Sequence, residues 1–156
     1  MYDFDSLTAT RRVLPTAEIV IELGPLRAVL VCRPATEDNV AYHNAWARAN
    51  SRSALRGIKI TRQLVERLRL QDAELFARHC VMDWDAESLA MVTGGETPEF
   101  SVDECLSFFR ALIEESTGAG RDAFDAFRAD IRDPETFTEL LDPADVEEQA
   151  GNSRRG

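Results

Sequence analysis

The segment that decides the fold begins Ala77-Arg78-His79-Cys80-Val81-Met82-Asp83-Trp84-Asp85 and continues to Phe109. A glycine pair, Gly94-Gly95, follows the tryptophan, and Phe100-Ser101 stands directly before another stretch with helical periodicity. This order predicts the end of one amphipathic helix, a tryptophan that plugs the core, a tight turn and a capped second helix. We expect these parts to form a compact helical elbow, and nothing in their spacing is typical of reaction chemistry.

The second helix of this elbow has a clear start and a clear apolar stripe. Ser101 and Glu104 have the spacing of a capping box, in which each side chain bonds the backbone N–H of the other residue. Apolar residues then recur at the i, i+3, i+4 and i+7 spacing of one helix face. They are Val102, Cys105, Leu106, Phe109, Leu112 and Ile113.

Residues 16–32 have the pattern of a β-hairpin. Two stretches of apolar and β-branched residues flank the turn residues Gly24-Pro25. Apolar residues fall on both faces of each strand, so we expect the hairpin to pack on both sides. Because two strands alone are only marginally stable in water, the hairpin needs a helix or a further strand against it. Residues 1–15 are predicted to form a flexible arm.

Residues 36–141 are predicted to form a helical body of four to five helices. Besides the capped helix, the patterns predict a helix from Glu37 to about Ser51 with Thr36 as N-cap, one from Thr61 to Val81, one from Arg121 to Arg132, and a short one after Asp133-Pro134. Residues 88–93 fit either a short strand or a loop. The chain is thus predicted to be α+β, an N-terminal β-hairpin packed on a mainly helical body. Residues 16–141 form a single globular domain, and a disordered acidic tail follows over residues 142–156.

The charges of the chain are unevenly distributed. Residues 1–82 carry 12 basic and 9 acidic side chains, a net charge of +3, whereas residues 83–149 carry 4 basic and 19 acidic ones, a net charge of −15. A surface this negative repels nucleic acid and anionic lipid, and it suits a partner with a basic face.

Composition also indicates the cell compartment. No apolar run approaches the roughly 18 residues that span a bilayer, and the acidic start Met1-Tyr2-Asp3-Phe4-Asp5 lacks the basic region of a signal peptide. Three widely spaced cysteines, none in a CxxC motif, indicate reduced core thiols rather than disulfides. They are Cys32, Cys80 and Cys105. We therefore expect a cytoplasmic protein without a membrane partner.

Four side chains near the elbow are the candidates for chemistry: His79, Cys80, Asp83 and Asp85. A metal- or thiol-dependent hydrolase built on them is the enzymatic alternative. Neighbouring helical residues such as His79 and Cys80 project about 100° apart and do not readily share one metal ion. We therefore predict a non-enzymatic protein with no catalytic residue, no metal site and no cofactor.

A basic stretch in the first half offers a further alternative. Its members are Arg48, Arg52, Arg56, Lys59, Arg62, Arg67, Arg69 and Arg78. They could form a nucleic-acid patch. The interpretation we favour is a solvated helix face that also pairs with the acidic C-terminal half of the same molecule.

Aromatic residues of the second half are the candidate partner-binding residues. They are Trp84, Phe100, Phe108, Phe109, Phe124 and Phe127. Phe108 and Phe109 point about 100° apart on one helix. If Phe109 faces the core, Phe108 lies near its edge, and an exposed apolar strip there could receive a partner helix.

The segment over residues 70–115 resembles the tail assembly chaperones of long-tailed bacteriophages. The matching parts are Val81-Met82-Asp83-Trp84-Asp85, Gly94-Gly95, and Phe100-Ser101 followed by Leu106. The resemblance implies a protein that binds and solubilises the long, helical tape-measure protein in the cytoplasm of the bacterial host. The expected partners are the tape-measure protein or other phage tail proteins, and a homo-oligomer is left open. The alternative is a structural component of the virion, a head or tail protein that orders on assembly.

Overall fold

The structure is a computed structural model that describes residue 4, residues 11–50 and residues 60–141. In chain order its elements are β1 (Arg11–Val13), β2 (Ala17–Leu23), β3 (Leu26–Cys32), α1 (Val40–Ala49), α2 (Arg62–His79), β4 (Val81–Asp85), α3 (Ala90–Thr93), α4 (Val102–Glu114), α5 (Ala119–Arg132) and β5 (Thr138–Leu140). Two 3₁₀ turns, Glu87–Leu89 and Pro134–Phe137, precede α3 and β5. The predicted α+β class, a hairpin on a mainly helical body, is confirmed. The acidic tail predicted for residues 142–156 lies outside the described residues.

The hairpin of β2 and β3 is completed by β4, giving the antiparallel order β2-β3-β4. The predicted helical elbow is therefore wrong at this point, because α2 ends at His79 and the chain enters a strand after Cys80. Val81 and Trp84 favour strands, and pairing with β3 satisfies backbone groups that a bare hairpin edge leaves to solvent. The register places Trp84 opposite Leu30.

One face of this sheet belongs to the core. Its inward side chains are buried: Ile19, Ile21, Ala28 and Leu30. Helix α5 packs against β2. Side chains alternate along a strand, so the intervening residues point to the opposite face. Val20 is 38% exposed there, between the exposed side chains of Glu18 and Glu22. The prediction that the hairpin packs on both sides is therefore wrong for the described part of the chain.

The flexible arm predicted for residues 1–15 is wrong at residues 11–13, which form strand β1. It pairs with β5 in a two-stranded antiparallel sheet, where the side chains of Arg12 and Glu139 form an ion pair. The backbone N–H of Leu14 also donates to the carbonyl of Phe137 at 2.7 Å. A three-residue strand whose partner lies more than a hundred residues away leaves almost no local signal. The arm prediction otherwise rests on residues that mostly lie outside the described ranges.

Helix α1 begins at Val40, three residues later than predicted, and its N-cap is Asn39 rather than Thr36. The Oδ1 atom of Asn39 accepts a hydrogen bond from the backbone N–H of Tyr42 at 3.2 Å. Its Nδ2 atom donates to the carbonyl of His79 at 2.9 Å. One buried amide therefore starts α1 and also holds the end of α2, which Thr36 could not do from its position.

The other helix starts follow the predictions closely. Thr61 caps α2, and the hydroxyl of Ser101 accepts from the backbone N–H of Glu104 at 3.0 Å to cap α4. Asp133 caps the segment after it, but that segment is a 3₁₀ turn and not a helix. The prediction of a strand or loop over residues 88–93 is also wrong, since these residues form the end of a 3₁₀ turn and helix α3.

The helices meet in an aromatic cluster at the centre of the core. Its fully buried members come from α2, α4 and α5: Phe76, Phe109, Phe124 and Phe127. Ring centroids lie 5.2 Å apart between Phe109 and Phe124 and 6.0 Å apart between Phe76 and Phe127. Close packing of α5 on α4 requires Gly120, because a Cβ atom there would lie 2.3 Å from the carbonyl oxygen of Leu112.

A buried ion network joins α2 to α5 beside this cluster. The carboxylate of Asp72, only 6% exposed, accepts a hydrogen bond from Arg128 at 2.6 Å and forms an ion pair with Arg132 at 2.8 Å. Asp125 accepts two bonds from the guanidinium of Arg69, at 2.9 and 3.1 Å, and also pairs with Arg128. Burial of charge is tolerable here because each carboxylate has more than one cationic donor.

We predict that Asp72→Ala destabilises the protein by about 2 to 3 kcal/mol, because the half-buried guanidinium of Arg132 loses its carboxylate and Arg128 keeps only Asp125. The matched control is Glu74→Ala on the same helix, which breaks an exposed pair with Arg78 and should cost less than about 1 kcal/mol. Urea unfolding of both variants measures the difference. Equal effects would contradict a structural role for the network.

Glu115, just after α4, caps the connection to α5. Its carboxylate accepts hydrogen bonds from the backbone N–H groups of Gly120 at 3.0 Å and Thr117 at 2.9 Å, and from the Thr117 hydroxyl. The Gly120 bond is the largest cause that lowers the pKa of Glu115 from 4.5 to about 2. The folded protein therefore favours the ionised form.

We predict a matching pH dependence of stability. Because folding lowers the pKa of Glu115, its contribution is fully present above about pH 4.5 and is lost as the pH falls toward 2. The difference in unfolding free energy between wild type and Glu115→Gln should therefore shrink across that range. Denaturant unfolding at a series of pH values measures it, and a difference that does not change with pH would refute this role.

Candidate binding interface

The six aromatic residues predicted to bind a partner fall into two groups. Phe109, Phe124 and Phe127 are fully buried in the core cluster, and Phe108 is only 8% exposed. The predicted exposed strip at Phe108 is therefore wrong. Its ring packs against Trp84, with centroids 5.8 Å apart, because β4 lies over this edge of α4. None of these four can meet a partner in the folded state.

Trp84 and Phe100 are the two members that reach the surface. Both are half-buried, with ring centroids 5.6 Å apart in an edge-to-face arrangement. The indole Nε1–H of Trp84 donates to the carbonyl of Pro98 at 3.2 Å, which holds the segment before α4 against β4. Both residues line an open depression of about 450 Å³ together with Asp83, Asp85 and Glu99.

This depression shares Asp83 and Asp85 with the outer face of the sheet, which we call the acidic sheet face. The face spans the three strands and consists of Glu18, Val20, Glu22, Arg27, Val29, Val31, Asp83 and Asp85. The strand register places Glu18, Val31 and Asp83 side by side across the three strands, and it places Val20, Val29 and Asp85 side by side next to them. Its charged members are all exposed, Val20 is exposed, and the other two valines are half-buried.

Charge on this face is strongly one-sided. Within the described ranges, this face carries four carboxylates and one cation, Arg27, which lies 3.8 Å from Glu22 in an exposed pair at the hairpin end. Exposed pairs of this kind are weak, so they leave the negative potential of the face largely intact. Val29 and Val31 on β3, with Val20 beside them on β2, thus form an apolar stripe, which is bordered by the carboxylates of β2 on one side and those of β4 on the other.

The residues considered for a hydrolase do not share one side of the sheet. Cys80 is buried, and burial raises the pKa of its thiol to about 12, so at neutral pH it is neither ionised nor accessible. Asp83 and Asp85 point to the outer face of the sheet, while Cys80 lies in the core. Among the described residues, no three His, Cys, Asp or Glu side chains are placed to hold a metal ion.

The basic stretch is likewise divided. Arg69 is buried and bound to Asp125 of the acidic half, as the favoured interpretation expects. Arg62 and Arg78 form exposed pairs with glutamates of their own helix. Arg52, Arg56 and Lys59 lie outside the described residues. Arg48 and Arg67 are exposed on different helices.

A larger open groove, of about 1010 Å³, is lined by a different set of residues. It is bounded by the end of β1, the chain between β3 and α1, and the 3₁₀ turn before β5. Val13 and Val40 are exposed beside it, and Arg33, Glu37 and Asp38 are its charged side chains. Apolar and oppositely charged groups are mixed there, so the groove favours no particular kind of ligand.

The sequence matches no protein-family model, no curated protein and no solved structure. Within the ranges that the structure describes, no helix combines the length and apolar character needed to cross a bilayer.

Sequence reasoning missed the acidic sheet face. One signal was present, the alternation Glu18-Ile19-Val20-Ile21-Glu22, in which the acids share a face with a valine. The other half of the face comes from Asp83 and Asp85. Their membership cannot be found without the pairing of β4, because the sequence predicts here only the end of a helix and a tryptophan that plugs the core.

We predict that Trp84→Ala lowers the free energy of unfolding by about 3 kcal/mol, the low end for a large aromatic because the ring is half-buried. Trp84→Phe, which keeps an aromatic ring but removes the bond to the Pro98 carbonyl, should cost about 1 kcal/mol. Chemical denaturation of both variants tests this order. A loss below about 1 kcal/mol for the alanine variant would mean that the ring does not anchor the sheet edge.

Proposed function

We propose that this chain is a non-enzymatic tail assembly chaperone of a long-tailed bacteriophage. It would bind the tape-measure protein in the cytoplasm of the bacterial host and keep it soluble until the tail tube polymerises. A long apolar helix in water aggregates unless its stripe is covered. A small acidic protein that binds in several copies supplies such a cover and can be displaced later.

The observation that carries the proposal is the acidic sheet face. A chaperone must keep apolar surface accessible without aggregating itself, and the four carboxylates around the valine stripe satisfy both needs, because like charges keep separate copies apart. The resemblance over residues 70–115 supports the same function independently. Its central part, Val81–Asp85, is the strand that supplies two of these carboxylates.

A virion structural component is the competing function, and the two differ in fate. A chaperone is absent from the finished particle, whereas a structural protein is present in fixed copy number. Mass spectrometry of purified particles from a phage that encodes this chain distinguishes them. We expect the chain in lysates of infected cells and not in the particles.

We expect a long reading frame with helical periodicity beside the gene for this chain, and the direct test is co-expression of this chain with the product of that frame. We expect the encoded protein to be insoluble when it is expressed alone. Expressed together with this chain, it should elute as a soluble complex in size-exclusion chromatography. Co-expression with the Asp72→Ala variant, whose fold is weakened, is the control and should recover less soluble partner. A partner that stays insoluble beside well-folded wild type, or a chain retained in particles, would overturn the proposal.

A further inference from the structure

We infer that the acidic sheet face binds an α-helix whose apolar stripe is flanked on both sides by lysine or arginine. The inference rests on the proposed function only for the identity of the natural partner. The chemistry of the helix follows from the face itself.

The dimensions of the face fit a single helix lying along β3. The carboxylates form two acidic rows along the outer strands: Glu18 and Glu22 on β2, and Asp83 and Asp85 on β4. Val29 and Val31 of β3 lie between these rows. Neighbouring strands are about 4.8 Å apart, so the two acidic rows are separated by about 10 Å. An α-helix with its side chains is about 10 Å across. One helix therefore fills the space between the rows and reaches both.

The length of the contact is set by the strands. Glu18 and Glu22 are four residues apart, which is about 13 Å along a strand. This length corresponds to between two and three turns of helix, at about 5.4 Å per turn. A helix with apolar residues at i, i+3, i+4 and i+7 would lay its stripe on the valines and present flanking cations to both acidic rows.

Charge excludes the other occupants of such a face. A second copy placed face to face would bring four carboxylates against four, and Arg27 is the one cation that the described residues supply on each side to offset them. Nucleic acid and anionic lipid are repelled for the same reason. A purely apolar helix would cover the valines and leave the carboxylates partly desolvated without partners, which costs free energy. A helix that carries cations on both flanks avoids each of these penalties.

The test uses the full-length chain and synthetic 18-residue helices labelled with a fluorophore. One peptide carries a leucine stripe flanked by lysines. The control peptide is identical except that glutamates replace the lysines. Fluorescence anisotropy should show binding of the lysine peptide that weakens as salt is raised, and no binding of the glutamate peptide. Amide chemical-shift changes on binding should fall on β2, β3 and β4.

Two double variants localise the interaction. Glu18→Lys with Asp83→Lys reverses one charge in each acidic row and should weaken binding about tenfold or more, because attraction becomes repulsion. Glu114→Lys with Asp130→Lys changes the net charge equally, using exposed carboxylates of α4 and α5, and should leave binding within about twofold. Val20→Thr with Val29→Thr keeps β-branched residues in the strands and tests the apolar stripe, with weaker binding expected.

The outcomes separate this inference from the proposed function. Equal effects of the two charge variants, shift changes elsewhere on the chain, or no binding of the lysine peptide would overturn the inference. If the co-expressed partner still forms a soluble complex with the Glu18→Lys, Asp83→Lys variant, the acidic sheet face is not its site, yet the chaperone function stands. If wild type binds the lysine peptide and fails to hold the partner, the inference stands and the chaperone function falls.

Discussion

The structure depends first on the pairing of β4 with β3. A two-stranded hairpin is only marginally stable in water, and the third strand gives it a face wide enough to cover the helices. Only Cys80 separates the end of α2 from the start of β4. Its carbonyl accepts a hydrogen bond from the backbone N–H of Arg33, just after β3, at 2.8 Å. The side chain of Asn39 holds the preceding carbonyl, that of His79. Sheet and helices are thereby fastened at one corner.

The same pairing separates the two faces of the sheet. Trp84, opposite Leu30, points inward and closes the core over Phe108, whereas Asp83 and Asp85 point outward beside the valines. A single strand therefore contributes both to stability and to the surface on which the proposed function depends. The β-bulge between Val31 and Cys32 lies at the start of β4 and lets Val81 stay in the core while the strand continues.

Charge serves opposite purposes in different parts of the molecule. Inside, Asp72 and Asp125 neutralise arginines of α2 and α5, and the network fixes how these helices meet. Outside, the carboxylates of the acidic sheet face form no such pairs within the described part of the chain, apart from the weak pair of Glu22 with Arg27. The uneven charge of the sequence thus has both a structural and a surface component, and only the surface component is available to a partner.

Local patterns determined much of the secondary structure. The hairpin, the start of α2, the capped start of α4 and the apolar stripe of α4 depend on contacts between residues a few positions apart, so sequence spacing was sufficient to predict them. The charge distribution also favoured pairing of the basic stretch with the acidic C-terminal half, and Arg69 is the member that forms such a pair, with Asp125.

Only the tertiary structure decided the rest, because the deciding contacts join distant parts of the chain. Val81–Asp85 becomes a strand because β3 offers it a partner some fifty residues earlier. Residues 11–13 become β1 because β5 lies beside them. The same long-range pairing buries Phe108 and brings Glu18 and Asp83 onto one face. A helical periodicity reports which side of a helix is apolar, but it cannot report which element will cover that side.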